Sequence, residues 1–236
     1  MIKAIFFDWS GTLARYLPRR EELQSQALKE LGYTVSPADV APGLAVADRY
    51  LIREVATRSM GLRTPADQAK VYTHYQQLVF DKIGVNLPET SPDFPRFMMR
   101  LNELSLQLKF VLYDDVLPAF KALKERGLTL GLVTNVDADM HEVCKELGLA
   151  DYLDFIVTSG EVKASKPHPR IFLKALEKAG VSNSEAAHVG DQPDIDVAGA
   201  KAAGIKPILI DRRNLFPNVR DCVVVRSLTE VINNLE

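Results

Sequence analysis

Short apolar runs without polar alternation recur along this chain: "AIFFD" at residues 4–8, "LTLGLVT" at 128–134, "DFIVTS" at 154–159, "AAHVGD" at 186–191 and "KPILID" at 206–211. Continuous apolarity, as opposed to alternation, marks strands buried on both faces, which is the condition of a parallel sheet. A sixth run, "DCVVV" at 221–225, is expected to close an edge. Helical stretches fall at 118–127, 138–148, 169–180 and 196–204, and three of them finish with Lys or Arg close to a Gly, as helix C-termini prefer. Strand and helix in alternation predict an α/β fold: a doubly wound parallel sheet with helices on both faces.

Residues 16–111 break that rhythm. They contain no convincing strand but repeat a helix-start signal, "SPAD" at 36–39, "TPAD" at 64–67 and "SPDF" at 91–94. A Ser or Thr cap, a Pro at the first helical position and an Asp in the first turn satisfy the orphan amides and the helix dipole. The residues that follow the three signals do not match, so they read as independent uses of one capping chemistry and not as a repeat. A bundle of about four helices is predicted, inserted after the first strand. The expected domains are therefore 1–15 with 112–236 as the α/β core, and 16–111 as a helical insert.

Composition narrows the classes. At 236 residues and 47% hydrophobic there is ample material for a core, while a net charge of −2 and a pI near 6.1 give no basic field for nucleic acid. Cys144 and Cys222 lie far apart and in no metal-ligand spacing, as expected of thiols in a reducing compartment. The first apolar run stops at Asp8, too short for a signal peptide or a membrane span, so a cytoplasmic protein is expected.

Ligands of open parallel sheets sit at the carboxyl ends of the strands. Those ends carry Asp8, then Thr134 and Asn135, then Asp191 followed by Asp194 and Asp196, with Lys166 just ahead of the helix opening at "KPHPRIF". Carboxylates gathered at strand ends repel unless a cation joins them. An all-oxygen donor set suits Mg2+, which often shares its site with a substrate phosphate, and a Lys with a Thr hydroxyl complements a phosphoryl group. Asp194 is expected to be the N-cap of the helix that follows.

The segments "DWSGT" (8–12), "LVTN" (132–135), "KP" (166–167) and "GDQPDIDVAGAKAAG" (190–204) resemble, in order, the four motifs of the haloacid dehalogenase-like (HAD) hydrolase superfamily. The resemblance implies a Rossmann-like core and makes the insert that family's helical cap. It implies Asp8 as a nucleophile that forms a covalent aspartyl intermediate. Thr134 and Lys166 would bind the transferred group, with Asn135 and Trp9 beside the substrate. Asp8, the backbone carbonyl of Ser10 and Asp191 would hold Mg2+, with Asp196 in the outer shell.

One position departs from the family pattern. Phosphatases of this family usually carry Asp where this chain has Ser10, and that Asp protonates the leaving group and later activates water. A serine hydroxyl cannot do so near neutral pH, and such help is worth ~10²–10⁴-fold. The favoured expectation is a Mg2+-dependent phosphatase of a small phosphorylated metabolite, with Ser10 altering the proton transfers. A 2-haloacid dehalogenase, in which halide leaves without a proton, is the alternative. A phosphonate hydrolase is suggested by the closeness of "DWSGT" to "DWAGT", and would need a Schiff-base lysine such as Lys70 or Lys82. A Mg2+- and phosphate-binding protein without turnover is the non-enzymatic reading. The expected partner is a small anionic molecule, with neither nucleic acid nor membrane, and the protein is expected to be a monomer or homodimer. Arg15, Arg19 and Arg20 near the start of the insert, and Arg49, Arg53 and Arg58 within it, read mainly as solvated charges. His74, His141, His168 and His188 form no cluster and are expected to be structural or exposed, with His188 facing the neighbouring layer.

Overall fold

The apolar runs become strands, and their length sets the sheet. The computed structural model describes residues 1–58, 60–136 and 139–235. The strands are β1 (Ala4–Phe7), β2 (Ala14–Leu17), β3 (Lys109–Leu112), β4 (Thr129–Thr134), β5 (Phe155–Thr158), β6 (Ala186–Gly190), β7 (Lys206–Ile210) and β8 (Val223–Val225). Six of them form one sheet in the order β5-β4-β1-β6-β7-β8, and every neighbouring pair in it is parallel. β1 lies at the centre with Phe7 level with Leu132 on one side and Val189 on the other. The chain order reverses across β1, so the crevice for a ligand opens beyond the carboxyl ends of β1, β4 and β6.

The helices are α1 (Arg20–Glu30), α2 (Pro37–Thr57), α3 (Pro65–Ile83), α4 (Asp93–Ser105), α5 (Val116–Glu125), α6 (His141–Glu146), α7 (Ser159–Val162), α8 (Pro169–Ala179), α9 (Ala198–Ala202) and α10 (Leu228–Val231). The chain divides into two compact units, Met1–Arg15 with Val111–Glu236, and Tyr16–Phe110.

In the first unit, Phe6, Val133 and Val157 of the sheet pack against Ile171, Phe172 and Ala175 of α8 and Ala200 of α9. Phe7 points the other way, its ring 4.7 Å from that of Phe120 on α5. Successive strand residues thus feed opposite layers, and each buried Phe or Ile contributes ~1.5–3 kcal/mol. α6 is shorter than the predicted 138–148 stretch, beginning at His141; the predicted start at Ala138 lies outside the described residues.

The predicted helix at 196–204 is preceded by a π turn, Pro193–Val197, and only then becomes α9. The N–H groups of Asp196 and Val197 both reach the Gln192 carbonyl, at 2.8 and 3.4 Å, which widens the turn. The N-cap is Gln192, and Asp194 sits exposed inside the turn, which corrects the expected cap at Asp194.

In the helical unit, Ser36 caps α2 as the sequence predicts, accepting from Asp39 N–H, and the Asp39 carboxylate in turn accepts from Ser36 N–H. Thr64 caps α3 with its side chain alone, its Oγ1 accepting from Asp67 N–H. The third signal is displaced by one residue: Pro92 occupies the N-cap of α4, and Ser91 Oγ accepts from Asp93 N–H. Leu23 and Leu28 of α1 bury against Phe80 of α3 and Phe94 and Phe97 of α4. Gln24 and Gln76 exchange two amide hydrogen bonds, of 2.8 and 2.9 Å, between α1 and α3.

The span read as strandless is bounded by two strands. β2 and β3 form a separate two-stranded sheet, and the Tyr16 and Phe110 rings stack at 4.6 Å. Four residues each, half-exposed and without a turn between them, they carry no periodic signal in the sequence. Among the described residues, no helix is long and apolar enough to cross a membrane.

Candidate active site

Asp8 follows the last residue of β1, and its N–H donates to Val189 O at 2.9 Å, so the ladder continues onto the carboxylate-bearing residue itself. Beyond it the chain turns sharply. Leu13 and Ala14 N–H both donate to Trp9 O, and Gly11 N–H donates to Ala14 O. Gly11 has φ +85°, and a Cβ there would lie 2.3 Å from Asp191 Oδ2. Only glycine accommodates both the left-handed backbone and that approach. On the other side, Gly190 ends β6, and a Cβ on it would fall 2.1 Å from Asp196 Cγ. Two glycines therefore allow the three carboxylates to close up.

Oxygens of Asp8, Asp191 and Asp196 all lie within 4.8 Å of one another. Lys166 Nζ donates to Asp8 Oδ1 at 2.5 Å and to Asp196 Oδ1 at 2.7 Å, and the lysine is 2% exposed. Its backbone is clamped by Asn135: Lys166 N–H donates to Asn135 Oδ1 at 2.6 Å, and Asn135 Nδ2 donates to Lys166 O at 3.0 Å. Asn135, expected beside the substrate, thus spends its amide on placing Lys166. Thr134 ends β4, two residues beyond Leu132, which is the register partner of Phe7, and is buried. Thr12 Oγ1 lies 3.4 Å from Asp8 Oδ2.

The charges explain the titration behaviour. Burial pushes Asp8 up, and the Lys166 ammonium only partly offsets it. Burial pushes Asp191 well above the usual carboxylate range, and the neighbouring Asp8 and Asp196 add to that. Burial also opposes the Asp196 charge, but Lys166 and a hydrogen bond from His188 outweigh it, so Asp196 stays below the ordinary range. Burial works against the charge on Lys166 too, yet Asp196 and Asp8 hold the ammonium protonated. Three carboxylates facing one ammonium leave two negative charges when all are ionised, and the donors are oxygens alone. That composition fits a divalent hard cation such as Mg2+.

Ser10 is exposed on the turn after Asp8, its backbone bridged to Ala14. The Trp9 side chain is fully buried and offers no open surface to a ligand in this conformation. Lys70 is 80% exposed with Asp67 at 3.7 Å, and Lys82 is exposed as well. Neither has the dry surroundings that free a lysine amine for Schiff-base chemistry. Arg20 is chelated by Asp48 at 3.0 and 2.6 Å, while Arg49, Arg53 and Arg58 are exposed.

His168 accepts from Arg170 N–H at the start of α8, His141 is exposed beside Asp139, and His74 meets the Tyr50 ring edge-on. His188 is the residue whose connection the sequence concealed: its Nε2 lies 3.0 Å from Asp196 Oδ1. A lone histidine inside an apolar strand gives no sign of what stands opposite it.

A model of the haloacid dehalogenase-like hydrolase family matches residues 2–204. The chain belongs to that family. The hydrolase is similar over 90% of its length to glyceraldehyde 3-phosphate phosphatase of Methanopyrus kandleri, at 29% identity and covering 85% of that protein. It is 36% identical to human haloacid dehalogenase-like hydrolase domain-containing protein 3, over 100% of this chain and 94% of the relative. Among solved structures, a 2-haloacid dehalogenase from Pseudomonas syringae pv. tomato aligns over 100% of this hydrolase and 98% of that chain, with TM-score 0.57 and 27% identity.

Proposed function

We propose that this hydrolase is a Mg2+-dependent phosphatase of a small phosphorylated metabolite, with Asp8 as the attacking group. The observation that carries the reading is the excess of carboxylate over ammonium at the strand ends. Attack on carbon, as in dehalogenation, does not call for a cation to balance that excess, whereas phosphoryl transfer with a shared cation does. The M. kandleri phosphatase, alike over most of the chain, supports the same choice.

Asp8, the Ser10 carbonyl and Asp191 would hold the ion, which when bound would neutralise charge on the phosphoryl oxygens. Asp8 attacks phosphorus, the ester P–O bond breaks, and the alkoxide takes its electron pair away; water then releases phosphate from the aspartyl group. Lys166, with two protons directed at Asp8 and Asp196, has a third for a phosphoryl oxygen. Thr134 offers its hydroxyl from the neighbouring strand. Ser10 offers no proton to the leaving group, so substrates with good leaving groups are favoured. By its place in the chain, the helical unit Tyr16–Phe110 is assigned the cap's role of selecting substrate. The cysteines Cys144 and Cys222 are free, in keeping with a cytoplasmic setting.

The test is p-nitrophenyl phosphate hydrolysis with Mg2+ and with EDTA: turnover that requires the metal is expected. Ser10 and the likeness to the P. syringae enzyme favour dehalogenation as the second reading. Chloride release from 2-chloropropionate, indifferent to EDTA and without phosphatase activity, would establish it instead.

A further inference from the structure

His188 sits on β6 with no exposed side-chain surface, its ring edge-on to Phe172 at 5.0 Å. Its Nε2 reaches Asp196 Oδ1 at 3.0 Å, and its Nδ1 has no hydrogen-bond partner among the described residues. An ionised carboxylate only accepts, so Nε2 carries the proton and Nδ1 is a bare acceptor. A second proton would bury an unpaired N–H donor, so the ring is built to stay neutral and to donate one bond, not to shuttle protons.

Asp196 is then held by three donors. Oδ1 receives His188 Nε2 and Lys166 Nζ, and Oδ2 receives Gln192 N–H at 3.1 Å. Gln192 N–H ties Oδ2, and His188 Nε2, on a ring packed in the core, ties Oδ1, so the carboxylate cannot rotate and its pull keeps the more mobile ammonium between Asp196 and Asp8. Were Asp196 free to turn, Lys166 would tilt onto Asp8 alone, occupying the nucleophile's lone pairs and losing its aim at the phosphoryl group.

We infer that His188 is a positioning residue for hydrolysis: its Nε2–H fixes Asp196, and through Asp196 it aims Lys166. The inference rests on the reading of Asp8 as nucleophile. His188→Leu fills the space without a donor, whereas His188→Gln places an amide N–H near the position of Nε2. With p-nitrophenyl phosphate and Mg2+, the Leu variant is expected to lose about 10- to 100-fold in kcat, the scale of removing a group that orients a catalytic one. KM should stay within about twofold, and the Gln variant should recover most of the loss. Should the Leu variant not fold, His188→Asn, whose amide is too short to reach Asp196, takes its place. The inference is overturned if the donor-free variant keeps kcat within about threefold of wild type, or if Gln is as impaired as Leu. If the wild type hydrolyses no phosphate ester, the function proposed above fails by itself. Positioning is then read from the 15N–1H resonance of the Lys166 ammonium, which must shift in the Leu variant and return in the Gln variant. An unmoved resonance overturns the inference.

Discussion

Lys166 and Asp8 form a 2.5 Å ion pair across 158 residues of sequence, and a second carboxylate, Asp196, shares the same ammonium at 2.7 Å. The pair lies at the point where the strand order reverses.

Removing that ammonium should cost stability as well as rate. Lys166→Met leaves Asp8 and Asp196 buried without their shared counter-charge, and breaking a buried pair in this way costs about 3–5 kcal/mol. Urea unfolding in EDTA is expected to show that loss, with added Mg2+ restoring part of it. Phosphatase activity should be undetectable in either medium. A variant as stable as wild type in EDTA would mean that the carboxylates are not charged together.

Restoring a proton donor should speed the reaction. Ser10→Asp places a carboxyl group two residues from the nucleophile, and general acid–base assistance is worth ~10²–10⁴-fold where it is lacking. A rise in kcat of at least about tenfold on alkyl phosphates, and a smaller rise on p-nitrophenyl phosphate, is expected because the latter's leaving group needs less help. If metal binding is normal and the rate is unchanged on both, Ser10 does not limit turnover.

Much of this site is legible in the sequence, for a physical reason. Asp8 and Asp191 stand out because each ends a continuous apolar run, and a parallel sheet brings strand ends together without any need to know their neighbours. The helix caps at Ser36 and Thr64 are equally local, made by residues three apart. Asp196 is harder. Its inward swing depends on a π turn around Gln192, and a 3.6-residue period cannot register one extra residue. His188 is buried against Phe172 of the neighbouring layer, as expected, but its bond to Asp196 and that of Asn135 to the Lys166 backbone are set by tertiary contact and leave no mark in the sequence. β2 and β3 escaped because four half-exposed residues carry no pattern of their own.

Acid should act on an exposed tie away from the site. The Glu185 carboxylate is bonded to Lys3 at 2.5 Å, to Ser182 N–H at 3.0 Å and to Ser182 Oγ at 2.8 Å. The Lys3 contact first, then the Ser182 amide, lower it from 4.5 to about 2. A depressed carboxylate stabilises the fold above its unfolded value and loses that contribution as pH falls through the folded one. Thermal unfolding of Glu185→Gln should therefore lie below wild type at pH 6, and the gap should close between pH 4.5 and about 2. A gap that is constant across that range would show that the tie contributes nothing through charge.

The most direct measurement is p-nitrophenyl phosphate turnover by Asp8→Asn at saturating Mg2+, on protein whose fold is verified by circular dichroism. If the carboxylate at position 8 is the group that attacks phosphorus, the variant should fall at least about a thousandfold below wild type. Turnover within about tenfold of wild type would place the attacking group elsewhere and contradict the account.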